Sequence, residues 1–415
     1  MSHLDDLQAR ADQRIMHTYP PGKAAFVRGQ GSMLFDAEGN AWLDLLCGLA
    51  VTNLGHAHPA VAHAVAEQAK TLVHTSNLYL TDPAIALGET LARILGWEDA
   101  NVFLCQCGAT ANEAAIKLAR KHGKALHDDK VRLVALEGSF HGRTLATLEA
   151  TGQPGKHAPF APLAGFVDHV PYDDPDALRA AVTEETCGVL VEVVQGEGGV
   201  RPVPDEVLIA AREACDAQDA LLIVDEVQTG IGRTGPWFAF QDTPVVPDVV
   251  TVAKALANGL PIGACVARGQ ATKTFQPGDH ATTFGGNPVT SAAALAVVRT
   301  IEQEAVLSTA HRRAERLRNG LDELVATSPL AVGVRGRGML LGLELVAPVA
   351  SDVEVACRDR KVLVNAVGAD VVRIAPPLTI SRAEVDQALA TLADAVDEVA
   401  TTTQPADHTS PKERS

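Results

Sequence analysis

Short apolar segments alternate with amphipathic helical segments between about residue 100 and residue 265, and this alternation constrains the fold more than any other feature. The apolar segments are VFLC, VRLVALEG, GVLVEVVQ, LLIVDE and VVTVA, and helical patterns such as ANEAAIKLARKHG and EVLIAAREACDAQ separate them. Strands joined by helices and buried on both faces form a mainly parallel sheet. The sequence therefore predicts an α/β domain that binds ligands beyond the carboxyl ends of its strands.

The pattern changes after about residue 290, where two long helical segments precede the apolar segments MLLGLEL, VLVNAV and VVRIAPP and a last helix from about Arg382 to Val399. This pattern predicts a second, smaller α+β domain. SMLFDAEGNAWLDL is typical of a hairpin and is expected to join it. We divide the chain into an N-terminal arm with part of the small domain (1–55), a large domain (56–290), a C-terminal small domain (291–402) and a disordered tail (403–415).

Composition excludes several classes of function. The formal net charge of −16 disfavours nucleic acid and anionic membranes as partners, because both need a basic face. No apolar run approaches the ~18 residues that span a bilayer, and the N-terminal segment MSHLDDLQARADQR does not resemble a secretory signal. The seven cysteines form no CxxC pair and the histidines form no HExxH motif. We therefore expect a reduced, cytoplasmic chain with neither disulfides nor a metal site.

Lys254 follows the apolar segment VVTVA directly, and lysine is rarely buried without a partner. It is either a lysine whose stem packs on the rim of the sheet or a Schiff-base amine. Asp225 ends the apolar segment LLIVD and can either cap the next helix or pair with a protonated heterocycle. Together the two residues match pyridoxal phosphate, which needs an amine for its aldehyde and an acid that keeps its ring nitrogen protonated.

CQCGATANEAAIK places Gly108 between a strand and a helix, where free N–H groups and the helix dipole bind anions. The segment is neither a GxGxxG loop nor a P-loop. Glycine is common in such turns, so this segment alone is weak support for a phosphate site. With Lys254 and Asp225 it predicts the site that binds the phosphate of the cofactor.

Motifs along nearly the whole chain occur in a characteristic order: GQGSMLFDAEGNAWLDLLCGLAV, LGHAHP, HTSNLY, SFHGRT, VQGEGGV, DEVQTGIGRTG, AKALANGLPIGA, TTFGGNP, RGRGMLLGLEL and RIAPPLT. Together they resemble the class III pyridoxal-phosphate-dependent aminotransferases of fold type I. The resemblance implies a large domain with a mainly parallel, seven-stranded sheet plus a smaller α+β domain. It also implies that the large domain binds pyridoxal 5'-phosphate.

The resemblance implies roles for the motif residues. Lys254 would hold the cofactor covalently and move the proton, and Asp225 would pair with the ring nitrogen. The remaining cofactor contacts would come from Gln228 (ring hydroxyl), Phe140 (stacking on the ring), Cys107, Gly108 and Ala109 (phosphate) and Thr283, which would reach the phosphate from a neighbouring subunit. A homodimer with a shared active site is therefore expected.

Three further residues are expected to recognise small-molecule substrates. By the resemblance, Arg373 would clamp the α-carboxylate of glutamate or 2-oxoglutarate, and Arg143 would hold a second carboxylate. A guanidinium binds a carboxylate through two parallel hydrogen bonds, so two arginines suit substrates with two distant acid groups. Glu197 resembles the switch acid that pairs with Arg373 when the substrate has no carboxylate there.

The phosphate turn departs from the family pattern NSGxEANE. Cys107 replaces a serine whose hydroxyl usually donates to the phosphate, and a thiol donates poorly. A hydrogen bond to a charged group is worth about 1.5–3 kcal/mol, so we expect weaker cofactor binding. Thr110 stands where glutamate is usual, and the sequence gives no account of it.

The implied reaction moves the terminal amine of N2-acetyl-L-ornithine to 2-oxoglutarate, giving N-acetyl-L-glutamate 5-semialdehyde and L-glutamate, a step of arginine biosynthesis. A related ω-aminotransferase of succinylornithine, succinyl-diaminopimelate, ornithine or GABA is the alternative, because acyl-group selectivity depends on pocket shape. A non-catalytic relative is a third reading. The altered phosphate turn motivates it, and the intact Lys254 and Asp225 disfavour it.

Overall fold

The computed structural model describes residues 2–403, so residues 404–415 of the predicted disordered tail lie outside the described residues. The strands are β1 Phe26–Gln30, β2 Met33–Asp36, β3 Ala41–Asp44, β4 Asn101–Cys105, β5 Arg132–Leu136, β6 Val167–Val170, β7 Thr186–Val191, β8 Val194–Gln195, β9 Arg201–Pro202, β10 Leu221–Asp225, β11 Val249–Val252, β12 Gly263–Ala267, β13 Ala331–Arg337, β14 Leu340–Leu345, β15 Val362–Leu363, β16 Asn365–Ala366 and β17 Val371–Ile374.

The α-helices are α1 His3–Arg14, α2 Cys47–Ala50, α3 Pro59–Thr71, α4 Asp82–Leu95, α5 Gly108–Leu126, α6 Leu145–Ala150, α7 Pro154–His157, α8 Pro175–Ala181, α9 Asp205–Gln218, α10 Pro288–Gln303, α11 Val306–Thr327, α12 Ala350–Asp359 and α13 Arg382–Thr403. Short 3₁₀ helices cover Ala158–Phe160, Ala239–Asp242, Lys254–Ala257 and Gly269–Lys273. No helix within residues 2–403 is long and apolar enough to cross a membrane.

A seven-stranded sheet forms the centre of the molecule, in the order β4-β12-β11-β10-β7-β5-β6. Neighbouring strands are parallel except at β12, which is antiparallel to β11 and to β4. Alternate residues of β10 pack in opposite directions: Leu221 and Ile223 pack in the cluster with α5, whereas Leu222 and Val224 pack in the cluster with α9. Both faces of the sheet are therefore covered, and the predicted α/β fold is confirmed.

Two smaller sheets lie outside the central one. β13, β14, β17 and β16 form an antiparallel sheet in that order, against which α11 and α12 pack. The N-terminal hairpin of β2 and β3 is extended by β1 on one side and by β15, parallel to β3, on the other. The N-terminal and C-terminal parts of the chain thus share one sheet. The residue boundaries given above for the domains stay predictions.

Arg233 is completely buried where the N-terminal, central and C-terminal parts of the chain meet. Its guanidinium donates to the carbonyls of Met339 and Pro376 and to the side-chain oxygen of Asn53. Asn53 in turn donates to the carbonyl of Ile231, at 2.8 Å. A buried cation stripped of water needs such partners, and here they fix the turn after β10 to both smaller sheets.

Candidate active site

The carboxyl edge of the central sheet brings the two principal predicted residues together. Asp225 ends β10 and pairs with Thr251 of β11, and Lys254 follows β11 by two residues. Both line a cavity of about 400 Å³, a size typical of small-molecule sites. The other predicted residues that line this cavity are Gln228, Phe140, Cys107, Gly108, Ala109 and Arg143.

Lys254 is half-buried, with its side chain at the cavity, and its backbone adopts a φ of 44°. Removal of the amine from water lowers its pKa to about 8; the charge of Glu197 opposes this shift, whereas the charge of Arg373 adds to it. A lysine with a lowered pKa is partly neutral near physiological pH. The Lys254 amine is therefore suited to act as a nucleophile and as a proton carrier.

Asp225 is only 3% exposed, and three donors hold its carboxylate. Oδ2 accepts from Nδ2 of Asn112 at 2.7 Å and from Nδ1 of His141 at 2.8 Å, and Oδ1 accepts from the backbone N–H of Val227 at 3.0 Å. Hydrogen bonds to a charged form favour that form. Sequence reasoning missed Asn112 and His141, although both lie inside motifs that it used.

Glu192 is a second buried carboxyl at the cavity. Burial raises its pKa to about 7; the charge of His141 opposes this shift, and the charge of Asp225 adds to it. Its oxygens accept from the backbone N–H groups of Phe140 at 3.0 Å and Gly196 at 3.4 Å. Glu192 therefore fixes the backbone of Phe140. The sequence offered one signal for it, a second acid just before QGEGG.

Arg373, on β17, is 1% exposed and pairs with Glu197 through a 2.6 Å contact from Nη1 to Oε1. Nη1 also donates to Oε1 of Gln228 at 3.1 Å, and Nη2 donates to Oδ1 of Asn365 at 2.5 Å. Burial alone would raise the pKa of Glu197, but the Arg373 guanidinium outweighs burial and keeps that pKa below its usual range. Because Gln228 lines the cavity, it connects the ion pair to the surroundings of Lys254.

The N-terminus of α5 forms one end of the cavity, and Thr110 explains its local structure. Oγ1 of Thr110 accepts from the backbone N–H groups of Cys107 at 3.0 Å and Gln106 at 3.3 Å, and donates to the Cys107 carbonyl at 2.9 Å. The N–H groups of Gly108 and Ala109 begin the helix and have no intrahelical partner. A Cβ on Gly108 would lie 2.7 Å from Cγ1 of Val227, so only glycine fits there.

Two cations lie near the ring of Phe140. Cζ of Arg143 is 5.7 Å from the ring centroid and Nζ of Lys156 is 5.8 Å from it. Within residues 2–403, no carboxylate forms an ion pair with Arg143, which leaves its charge available to an anionic substrate. Burial and the charge of Arg143 lower the pKa of Lys156, and the charge of Glu197 raises it. Sequence reasoning did not identify Lys156.

Thr283 does not line the cavity that contains Lys254. It lies in a separate open groove of about 1560 Å³, together with the exposed apolar residues Leu78, Tyr79, Leu80 and Phe284. The groove runs close to the α5 turn, because Nε2 of Gln106 donates to the hydroxyl of Thr282. The expected role of Thr283 needs a second subunit and stays a prediction.

The cavity residues fit pyridoxal phosphate. They provide an amine with a lowered pKa, a buried carboxylate that accepts three hydrogen bonds, an aromatic ring and a helix N-terminus that favours anions. Within residues 2–403, no group of three or more His, Cys, Asp or Glu side chains is arranged to hold a metal ion.

This fold and this site define a class of pyridoxal-phosphate enzyme, the class III aminotransferases. The model of the family described as "Aminotransferase class-III" matches residues 16–396, and the chain belongs to this family. Members of the family use pyridoxal phosphate, so the predicted family and cofactor are confirmed.

Several members of this family with known names are similar to this chain. The acetylornithine aminotransferase of Streptomyces coelicolor is 48% identical over 399 residues, which cover 96% of this chain and 97% of that protein. The crystal structure of N-acetylornithine aminotransferase from Stenotrophomonas maltophilia is similar with a TM-score of 0.81 and 35% identity, covering 93% of this chain and 98% of that one. Ornithine aminotransferase from Toxoplasma gondii, with partial occupancy of PLP at its active site, has a TM-score of 0.89 and 30% identity, covering 96% of each chain.

Proposed function

We propose that the protein transfers the terminal amine of N2-acetyl-L-ornithine to 2-oxoglutarate, giving N-acetyl-L-glutamate 5-semialdehyde and L-glutamate, as in arginine biosynthesis. Relatives that carry the name acetylornithine aminotransferase support this reaction at 48% identity over nearly the whole chain. The observation that carries the proposal is the ion pair between the buried Arg373 and Glu197, beside the cavity that contains Lys254.

The ion pair suits a site that accepts two different substrates in turn. The terminal amine of acetylornithine enters without a neighbouring carboxylate, so Glu197 stays on Arg373 and neutralises its charge. The carboxylate of acetylornithine then binds at the other end of the cavity, where Arg143 has no acidic partner among the described residues 2–403. When 2-oxoglutarate enters, its α-carboxylate competes with Glu197 for Arg373, because a guanidinium favours a carboxylate that accepts two parallel hydrogen bonds over the single Nη1 contact of Glu197.

Pyridoxal phosphate, when bound, would supply the electron sink that the transfer of the amine requires. The Lys254 amine would bind the cofactor and would then take the proton from the reacting carbon and return it. Asp225, which accepts hydrogen bonds from Asn112 and His141, would pair with the ring nitrogen and keep it protonated. Phe140, which lines the cavity, would pack on the ring, and Gln228 would donate to its hydroxyl oxygen. The N–H groups of Gly108 and Ala109 would bind the phosphate together with the turn at Cys107.

The proposal includes a homodimer. The exposed apolar residues Leu78, Tyr79, Leu80 and Phe284 support it, since a contiguous apolar surface of this kind marks an interaction site. A second copy bound there would bring Thr283 to the phosphate site of its partner. The proposal also includes a cytoplasmic location, which the seven unpaired cysteines support because disulfides persist in oxidising compartments.

Steady-state kinetics with several amine donors test the proposed reaction. We expect kcat/KM to be higher for N-acetylornithine than for succinylornithine, succinyl-diaminopimelate, free ornithine or GABA, with 2-oxoglutarate as acceptor in each case. A higher kcat/KM for one of these other donors would show that this donor, rather than acetylornithine, is the preferred substrate. Absence of turnover with every donor, in protein that binds the cofactor, would support the non-catalytic reading.

A further inference from the structure

Four residues, one on each strand, align across the small antiparallel sheet. Arg335 on β13 pairs with Gly342 on β14, Gly342 pairs with Arg373 on β17, and Arg373 pairs with Asn365 on β16. Directly paired residues of antiparallel strands project on the same face. Gly342 has no side chain, and a Cβ there would lie 3.1 Å from Cβ of Val200. Arg335 and Arg373 therefore lie on either side of Gly342. The narrow strip of sheet surface between them, over Gly342, is covered by Val200.

The segment 196–200 crosses this strip and is held by both arginines. Nη1 of Arg373 donates to the Gly196 carbonyl at 3.3 Å, and Nε of Arg335 donates to the Gly199 carbonyl at 2.6 Å. Gly199 has a φ of 95°, and a Cβ there would lie 2.9 Å from Nη2 of Arg335. Glu197 is the charged residue of this segment and lies between the two points of attachment.

Arg335 is itself fixed by its neighbour on β14. Its Nη1 lies 2.8 Å from Oε1 of Glu344, and both side chains are partly buried. Arg335 is not among the residues that line the cavity of Lys254. Its contact with the active site therefore runs through the backbone of the segment that carries Glu197.

We propose that Arg335 is a positioning residue for the switch: it fixes the backbone at Gly199 so that the Glu197 carboxylate reaches Arg373. The inference rests on the proposed function, in which acetylornithine needs the Glu197–Arg373 pair closed and 2-oxoglutarate needs it open. With the backbone held at both ends, the switch consists of rotation of the Glu197 side chain alone.

Loss of the hydrogen bond from Arg335 to Gly199 weakens the closed Glu197–Arg373 pair, but it leaves the open state, in which the two side chains are apart, unchanged. The two half-reactions should therefore respond differently to Arg335→Met. We expect kcat/KM for acetylornithine to fall about tenfold or more, as for loss of a hydrogen bond from a charged group. We expect KM for 2-oxoglutarate to stay unchanged or to decrease, and glutarate, measured by calorimetry, to bind as tightly as before or more tightly.

Arg337→Met is the matched control, because Arg337 lies on the same strand and its nearest acid, Asp205, is 3.8 Å away on α9. It should leave both half-reactions unchanged. The double variant Glu197→Gln, Arg335→Met should match Glu197→Gln alone within about twofold, since Arg335 acts through Glu197. If Arg335→Met does not fold, Arg335→Lys replaces it, because lysine can pair with Glu344 but lacks the second donor for Gly199.

Equal losses in both half-reactions, or an added loss in the Glu197→Gln background, would overturn the inference and leave Arg335 a structural residue. Failure of the proposed function looks different. In that case the unmodified protein does not react with acetylornithine, whereas failure of the inference alone leaves the unmodified protein fully active.

Discussion

His141 donates a 2.8 Å hydrogen bond from Nδ1 to Oδ2 of Asp225, and both side chains are almost completely buried. Because a carboxylate only accepts, Nδ1 must carry the hydrogen. Asn112 donates to the same oxygen, and its own side-chain oxygen accepts from the hydroxyl of Thr251. The acid that is proposed to face the cofactor nitrogen is therefore held by groups from three separate segments of the chain.

His141→Ala should lower kcat about 10–100-fold, because a hydrogen bond to a charged group is worth about 1.5–3 kcal/mol. The loss should appear in both half-reactions, since Asp225 serves both. Steady-state and single-turnover kinetics measure it. His169→Ala is the control, because His169 bonds to the Ala150 carbonyl and lies outside this cavity. An unchanged kcat in His141→Ala would show that Asp225 needs no such donor.

Glu197→Gln should separate the two substrates. Arg373 then keeps an unneutralised charge, so kcat/KM for acetylornithine should fall about 100-fold and KM for 2-oxoglutarate should not rise. Kinetics of the separate half-reactions give both values. Glu302→Gln, which removes a surface ion pair with Arg93, is the control and should change neither. A parallel loss with both substrates would argue against a switch.

Cofactor uptake by the protein freed of cofactor should depend on pH through Lys254. Since burial lowers the pKa of this amine to about 8, it is protonated and unreactive below that pH and neutral above it. The rate of pyridoxal phosphate uptake, followed by absorbance between pH 6 and pH 10, should therefore rise with a midpoint near pH 8. Lys254→Ala should give no covalent complex at any pH. A midpoint near the usual lysine value would contradict the burial of the amine.

Thr110→Ala should destabilise the N-terminus of α5. Its hydroxyl accepts from two backbone N–H groups, so its loss should lower the free energy of unfolding by about 1 kcal/mol, as for other helix caps. Urea unfolding of the cofactor-free protein measures the change. Thr110→Ser keeps the hydroxyl and should lose much less. Equal stability of both variants and the unmodified protein would show that the hydroxyl does not stabilise the turn.

The central sheet could be predicted from the sequence because the pattern that indicates each strand lies within a few neighbouring residues. Strands β4, β5, β7, β10 and β11 are short apolar runs, and the carboxyl ends of neighbouring parallel strands meet at one edge, which places Asp225 near Lys254. The direction of β12 was not predicted. GACVA is as apolar as the parallel strands of the same sheet, and strand direction depends on the path of the connection rather than on the residues of the strand.

The partners of the site residues could not be read from local patterns. Asn112, His141 and Asp225 come together only when three distant segments pack. The pKa of Glu192 is raised only because the folded chain buries this carboxyl. The roles of Arg373 and Glu197 came from resemblance rather than from residue pattern. Thr110 stands where the family pattern has glutamate. Its hydrogen bonds to the backbone of its own turn explain what the residue does there.

A single half-reaction tests the central claim most directly. The protein, loaded with pyridoxal phosphate and freed of keto acid, is mixed with N-acetylornithine, and the visible absorption of the bound cofactor is followed together with the products. We expect the visible band to be replaced by the absorption of the pyridoxamine form, with one equivalent of N-acetylglutamate semialdehyde formed per site. A band that does not respond to N-acetylornithine but disappears with free ornithine or GABA would contradict the proposed reaction.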